Sequence, residues 1–101
     1  MLHVTTTCPD LDSARQLARA VLEARLAACA NIMPGVVSLF HWQGRIEDAA
    51  EVMLAFKTLP ERRTDLLALI GLLHPYDLPV ITCEVVETTP EAAAWLRAET
   101  G

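Results

Sequence analysis

Ala30-Asn31-Ile32-Met33-Pro34-Gly35-Val36-Val37-Ser38-Leu39-Phe40-His41-Trp42-Gln43-Gly44 is the stretch on which the fold of this chain turns. Its alternation and β-branched content read as a strand from Ala30 to about Gly44, interrupted at Pro34-Gly35, because a proline has no N–H to give to a central ladder and demands a bulge or bend. Beyond the break, Val36, Ser38, Phe40 and Trp42 share one face and Val37, Leu39 and His41 the other. Gln43-Gly44-Arg45 turns the chain, and a further strand runs roughly from Glu51 to Thr58, with Val52, Leu54 and Phe56 on one face and Met53, Ala55 and Lys57 on the other. Apolar residues occupy both faces. A sheet covered by helices on one side only leaves such a second face requiring cover from another chain.

Upstream of this hairpin, residues 2 to 7 alternate Leu2, Val4 and Thr6 against His3, Thr5 and Thr7, the pattern of another strand, which Cys8-Pro9-Asp10 ends. Asp10 and Asp12 are both placed to cap a helix whose apolar residues Leu11, Ala14, Leu17, Ala18, Val21 and Leu22 recur at three and four, with Arg15, Arg19 and Glu23 opposite. Burial of Leu11, Leu17, Val21, Leu22 and Leu26 contributes on the order of 10 kcal/mol as an upper bound. Downstream, Pro60 opens a second amphipathic helix through Leu66, Leu67, Leu69, Ile70 and Leu73, stopped by His74-Pro75. A strand from Val80 to Glu87 follows Pro79, and Thr89-Pro90-Glu91 starts a last helix anchored by Trp95 and Leu96.

The order is β-α-β-β-α-β plus a helix, an α+β ferredoxin-like arrangement with two helices on one face of a four-stranded antiparallel sheet. That topology puts the second and fourth strands at the edges, and these are the strands that carry Pro34 and Pro79.

Composition sets the class. The 101 residues, 52% hydrophobic, make one unit over 1–101 with no internal repeat or linker. A domain this short buries only about 65% of the surface its unfolded chain exposes, so this much apolar content points to an oligomer. Eight basic residues against 13 acidic ones give a net charge of −5, which argues against nucleic acid and anionic membranes and permits cations. No secretory leader is evident after Met1-Leu2-His3-Val4, and the longest apolar run, Leu66 to Leu73, is too short to span a bilayer; the expected location is the cytoplasm. Cys8, Cys29 and Cys83 stand singly, as free thiols of a reducing compartment do.

The candidate residues each carry two readings. Cys29 is a soft ligand for Cu(I) or a small buried hydrophobe. His74 is a ligand for Cu(II) or Zn(II), or a group that satisfies the last carbonyls of its helix. His41 and His3 sit on strands and face solvent at no cost. Lys57, the one lysine, placed next to Tyr76 or a neighbour's carboxylate, contacts an anionic ligand in an inter-subunit cleft or makes a structural salt bridge. Trp42 is an interface anchor alongside Phe40 in preference to a stacking platform.

Five motifs in order resemble the CutA divalent-cation tolerance family: Leu26-Ala27-Ala28-Cys29-Ala30-Asn31-Ile32 with Pro34-Gly35; Ser38 and Trp42-x-Gly44-x-Ile46; Lys57-Thr58; His74-Pro75-Tyr76 with Pro79; and Trp95. The resemblance implies a ferredoxin-like homotrimer similar in architecture to PII signalling proteins, linked to tolerance of divalent metals, copper especially, and without an assigned enzyme activity. Phe40, Gln43 and Val80 stand where many members have Tyr, Glu and Glu, and some members carry a cysteine at the position of Thr6, two residues before Cys8. Three readings follow. The first is a cytoplasmic homotrimer that binds Cu or other divalent ions weakly through His74, Cys29 and Cys8 and assembles through Phe40, Trp42 and Met53. The second is a PII-like sensor that takes a small anionic ligand between subunits through Lys57, Trp42 and Tyr76, with Arg45 contributing charge. The third, an enzyme with a Cys29 or Cys8 nucleophile and His74 as base, lacks an orienting third group.

Overall fold

A computed structural model describes residues 1–101. Its elements are β1 (Leu2–Cys8), α1 (Leu11–Glu23), β2 (Cys29–Trp42), β3 (Arg45–Thr58), a 3₁₀ turn (Pro60–Arg62), α2 (Arg63–Leu73), β4 (Ile81–Val85) and α3 (Pro90–Glu99). The strands form one antiparallel sheet in the order β2-β3-β1-β4, so the strands next to Pro34 and Pro79 are the edges, as the topology requires. The fold is α+β and ferredoxin-like.

One face of the sheet carries the core. Leu2, Val4 and Cys8 of β1 and Val52, Leu54 and Phe56 of β3 meet Ala14, Leu17, Ala18 and Val21 of α1 and Leu66 and Ile70 of α2. Asp10 is the cap of α1, its carboxylate accepting the Ser13 N–H at 2.7 Å. Leu11 and Leu22 are more than a third exposed, so the helix buries two large side chains rather than five and its burial contributes about 5 kcal/mol. Thr89 caps α3, whose Leu96 is buried while Trp95 is half exposed.

The hairpin departs from the sequence reading in length. β3 begins at Arg45, six residues before Glu51, because Arg45–Ala50 pair with Val37–Trp42 as a two-stranded arm that runs beyond both helices. At its tip Gln43 and Gly44 both have positive φ, 50° and 78°, the two-residue turn whose twist matches a hairpin. The irregularity between Met33 and Val36 inserts one extra residue on β2, with Gly35 at φ 85°. Its effect is to switch phase. Ala30 and Ile32 sit on the helix side before the bulge, whereas Val36, Ser38, Phe40 and Trp42 lie on the opposite, open side after it. Val37, Leu39 and Ile46, on the arm's other side, are 71%, 65% and 70% exposed. The arm stretches the protomer to 45 × 24 × 21 Å, with a radius of gyration of 14.1 Å against about 12.7 Å for a compact chain of this length.

Candidate functional site

Three of the polar groups buried in this protomer, Thr6, Glu51 and His74, gather where β1 ends. β1 delivers Thr6, Thr7 and Cys8; the segment after α2 delivers His74 and Tyr76; β3 delivers Glu51 from the base of the arm. His74 is the residue that ends α2, its backbone N–H still reaching the Ile70 carbonyl at 2.8 Å while Pro75 prevents a further turn. Its ring turns away from the helix. The Thr6 hydroxyl donates to the Val80 carbonyl at 2.9 Å and toward His74 therefore only accepts. Nε2 thus carries the ring proton, shared between Thr6 Oγ1 at 3.1 Å and the Thr7 carbonyl at 2.9 Å. Nδ1 keeps the lone pair and accepts the Tyr76 N–H at 3.1 Å. The ring therefore serves β1 and its own loop, and not the last carbonyls of α2.

With its amide held by His74, Tyr76 points its hydroxyl at Glu51 and donates to Oε2 at 2.6 Å. Glu51 is 8% exposed. Burial pushes its carboxyl up, but the hydrogen bonds from Tyr76, Ser38 and Thr7, together with His74 nearby, outweigh that and hold it below the usual carboxylate range. Tyr76 moves the other way: burial and the bond to an anion raise its phenol above its ordinary value. Cys8 is pushed up to about 11, first by burial and then by the negative charges of Asp10 and Glu51. Such a thiol is protonated at neutral pH and a poor nucleophile. The sequence reading did not single out Glu51, Thr6 or Thr7. A glutamate at the expected start of a strand reads as a solvated end, and its partner Tyr76 lies 25 residues away.

The expected site residues fall into three places. Cys8 and His74 are together at the end of β1, next to Glu51 and Tyr76. Cys29 pairs in register with Lys57 while Cys8 pairs with Val52, which separates the two thiols by five residues of β3, roughly 17 Å. Lys57 lies between Cys29 and His3, six residues along β3 from the carboxylate that holds Tyr76, and Trp42 is at the arm tip, so Lys57, Trp42 and Tyr76 do not line one cavity within a protomer. Phe40 and Trp42 are 41% and 45% exposed, and Met53 is half-buried on the open face opposite Met33 and Thr7. No group of three or more His, Cys, Asp or Glu side chains gathers as a metal cage within the protomer. Two surface grooves lie elsewhere: one of about 310 Å³ between the end of α1 and the end of α3, beside Arg25 and Glu99, the other of about 460 Å³ along α1 and β2, beside Arg15 and Arg19.

The family model described as CutA1 divalent ion tolerance protein matches residues 2–99. The chain belongs to this CutA1 family. A divalent-cation tolerance protein CutA of Thermus thermophilus is 38% identical over 99 residues, covering 97% of this chain and 96% of that one. A mouse relative, Protein CutA, is 37% identical over 95 residues; the match takes in 93% of this chain but spans only 54% of the mouse protein. Among solved structures, the periplasmic divalent cation tolerance protein CutA of Archaeoglobus fulgidus superposes with a TM-score of 0.95 at 31% identity, covering the whole of both chains. In this CutA1 chain no helix is long and apolar enough to cross a membrane. Phe40 and Gln43 lie on the arm and its tip, and the Val80 side chain is exposed while its carbonyl holds Thr6, so the three expected departures from the CutA1 pattern leave the Glu51–Tyr76–His74 linkage whole.

Proposed function

We propose that the chain is a non-enzymatic, cytoplasmic divalent-cation tolerance protein that works as a homotrimer and takes up copper or related divalent ions weakly. The observation that supports the metal reading is the placement of His74 against the end of β1, where its imidazole bonds to the carbonyl of Thr7, the residue before Cys8. An imidazole and a thiol suit copper better than hard cations, and the neighbouring Glu51 carboxylate adds attraction for any cation. Weak affinity follows from the local chemistry. The one free lone pair of His74, on Nδ1, is used by the Tyr76 amide, so a metal must displace a hydrogen bond worth about 1 kcal/mol. The Cys8 thiol, pushed up to about 11 by burial and nearby anions, is harder to ionise for a metal than an ordinary cysteine. Cys29 is the third donor, and its distance from the other two assigns it to a separate contact or to a site shared with another protomer.

Assembly is supported by two unlike apolar surfaces. One is the arm, with Val37, Leu39, Phe40, Trp42 and Ile46; the other is the β4 edge and the end of α2, with Leu72, Leu78, Val80 and Val85 exposed. Unlike surfaces that cover each other join copies head to tail, and such contacts make a ring when the rotation between copies closes, as a homotrimer requires. A two-stranded arm is not stable alone in water, which supports its being covered. Calorimetry with Cu(II) on wild type and His74→Ala tests the metal site: weaker binding by the variant is expected, and coincident curves overturn the assignment. Sedimentation equilibrium tests assembly, with a stable monomer at micromolar concentration as the refuting result.

A further inference from the structure

Glu51 and Lys57 share a strand, a face and a deficiency. Both project from β3 on the open side of the sheet: Glu51 in register with Val36, and Lys57 flanked by Cys29 on β2 and His3 on β1. Neither has an ionic partner within the protomer, where the one ion pair is the exposed Arg25–Glu99 contact at 3.6 Å. Six residues of extended chain hold the two groups roughly 20 Å apart, so they cannot reach each other. Yet both are withdrawn from water. Glu51 is more than nine-tenths buried and Lys57 is half-buried. A buried carboxylate that has hydrogen bonds but no cation is costly, because hydrogen bonds satisfy its lone pairs without neutralising its charge. The groups beside Lys57 are a thiol and an imidazole, and Glu84, across His3 on β4, is exposed and makes no ion pair with it.

We propose that Glu51 of one copy receives the Lys57 ammonium of a second copy, so that the carboxylate held by Tyr76 is completed by the next protomer. The pairing rests on the homotrimer reading above and goes beyond it by naming the contact. It fits a head-to-tail ring because it joins two different points of the molecule, an acidic one at the arm base and a basic one at the far end of the same strand, each present once per copy. Tyr76 and His74 then act as positioning residues: His74 holds the Tyr76 amide and Tyr76 holds Glu51 Oε2, fixing the carboxylate that the ammonium meets. Lys57 also acquires a role as an intersubunit fastener, and its charge is spent on a protein group instead of a small anion.

A double-mutant cycle on the assembly constant tests this. Glu51→Gln, Lys57→Met and the pair are compared with wild type by sedimentation equilibrium across protomer concentration, with circular dichroism to establish that each variant is folded. Each single substitution is expected to raise the dissociation constant at least tenfold. The double variant is expected to be no worse than about threefold beyond either single one. Effects of the two singles that simply multiply in the double overturn the pairing, as does a wild-type assembly indifferent to Lys57→Met. The exchanged variant Glu51→Lys with Lys57→Glu gives a second reading that does not depend on neutral replacements: assembly tighter than that of either reversed single supports the contact, and assembly no tighter than the weaker single refutes it. A monomeric wild type sinks the homotrimer reading and the pair together, whereas an oligomeric wild type without coupling sinks the pair alone.

Discussion

Replacing Tyr76 with phenylalanine removes one oxygen from the chain and tests whether the Glu51–Tyr76 contact holds the 74–80 segment against the sheet. The bond lost is 2.6 Å long, from a phenol to an ionised carboxylate. Bonds of that kind contribute about 1.5–3 kcal/mol net, against about 1 kcal/mol for a neutral pair. Ser38 and Thr7 still reach Glu51 after the change, so the carboxylate is not stripped bare and the middle of that range, about 2 kcal/mol, is the expected loss at pH 7. That is roughly a thirtyfold change in the folding equilibrium, or about 10 °C in Tm for a chain of this length. Urea denaturation and thermal scans at one fixed protomer concentration read it without confounding by assembly. The pH dependence has a definite sign. Because the folded carboxyl is held below its unfolded value near 4.5, its stabilisation is complete above that value and fades as pH falls through the folded one. The gap between wild type and Tyr76→Phe therefore narrows as pH falls below the unfolded value. The chain has a single tyrosine, so absorbance of the phenolate near 295 nm reports on Tyr76 alone. It stays un-ionised in the folded protein well past pH 10 and returns toward the ordinary value in Glu51→Gln. A loss under about 0.5 kcal/mol, a loss that does not shrink as the solution is acidified, or a phenol that ionises near 10 while the protein is folded would each refute the reasoning.

Other expectations concern different parts of the molecule. Alkylation by iodoacetamide across pH 7 to 10 leaves Cys8 unmodified in the folded protein, since its thiol ionises only near 11; rapid labelling of Cys8 at pH 8, mapped by mass spectrometry, contradicts its buried, anion-flanked setting. Leu66→Ala, in the fully buried centre of α2, costs about 2–5 kcal/mol in chemical denaturation, whereas Leu72→Ala on the exposed turn beside it costs under about 0.5 kcal/mol as long as the measurement is made on dissociated protomers. Gly44→Ala at φ 78° meets no atom within 4 Å of the added carbon, so only backbone strain of about 1 kcal/mol is expected, and a larger loss in a denaturation midpoint shows that the tip touches something in the assembled protein. Asp10→Ala removes the cap of α1 at a cost of about 1 kcal/mol, readable as a lower urea midpoint.

Local chemistry was legible in the sequence wherever it acts locally. Of the two caps offered, Asp10 and Asp12, the structure uses Asp10, and the turn read as Gln43-Gly44-Arg45 is Gln43-Gly44 with Arg45 already in β3; Thr89-Pro90 as a helix start and the edge prolines are borne out, all from rules that span four residues or fewer. The first half of β3 was missed because Arg45-Ile46-Glu47-Asp48-Ala49-Ala50 has no buried face to impose alternation; those residues are extended because Val37–Trp42 pair with them. Leu11 and Leu22 matched the periodicity of α1 but lie at the margins of its stripe, where no element of the same protomer reaches. The site was half visible. His74 announced itself as the residue before a proline, but its bonds go to Thr6 and Thr7, 68 and 67 residues away in the chain, and nothing near Glu51 signals that a tyrosine will find it. Contacts of that span are fixed by topology and not by neighbours in sequence.

The position of β1 between β3 and β4 bears on how the chain reaches this state. The first strand of the chain is hydrogen-bonded on both sides, and its second partner, Ile81–Val85, is the last of the four strands to be made. During synthesis the apolar residues Leu2 and Val4 wait for some eighty residues before their last neighbours arrive, while α1 and the long hairpin are already available. Closure of the sheet is thus a late, long-range event, the kind that slows folding and lengthens exposure to wrong partners. Folding of this chain is therefore expected to wait on the pairing of its first strand with Ile81–Val85, whatever the stability of the finished sheet.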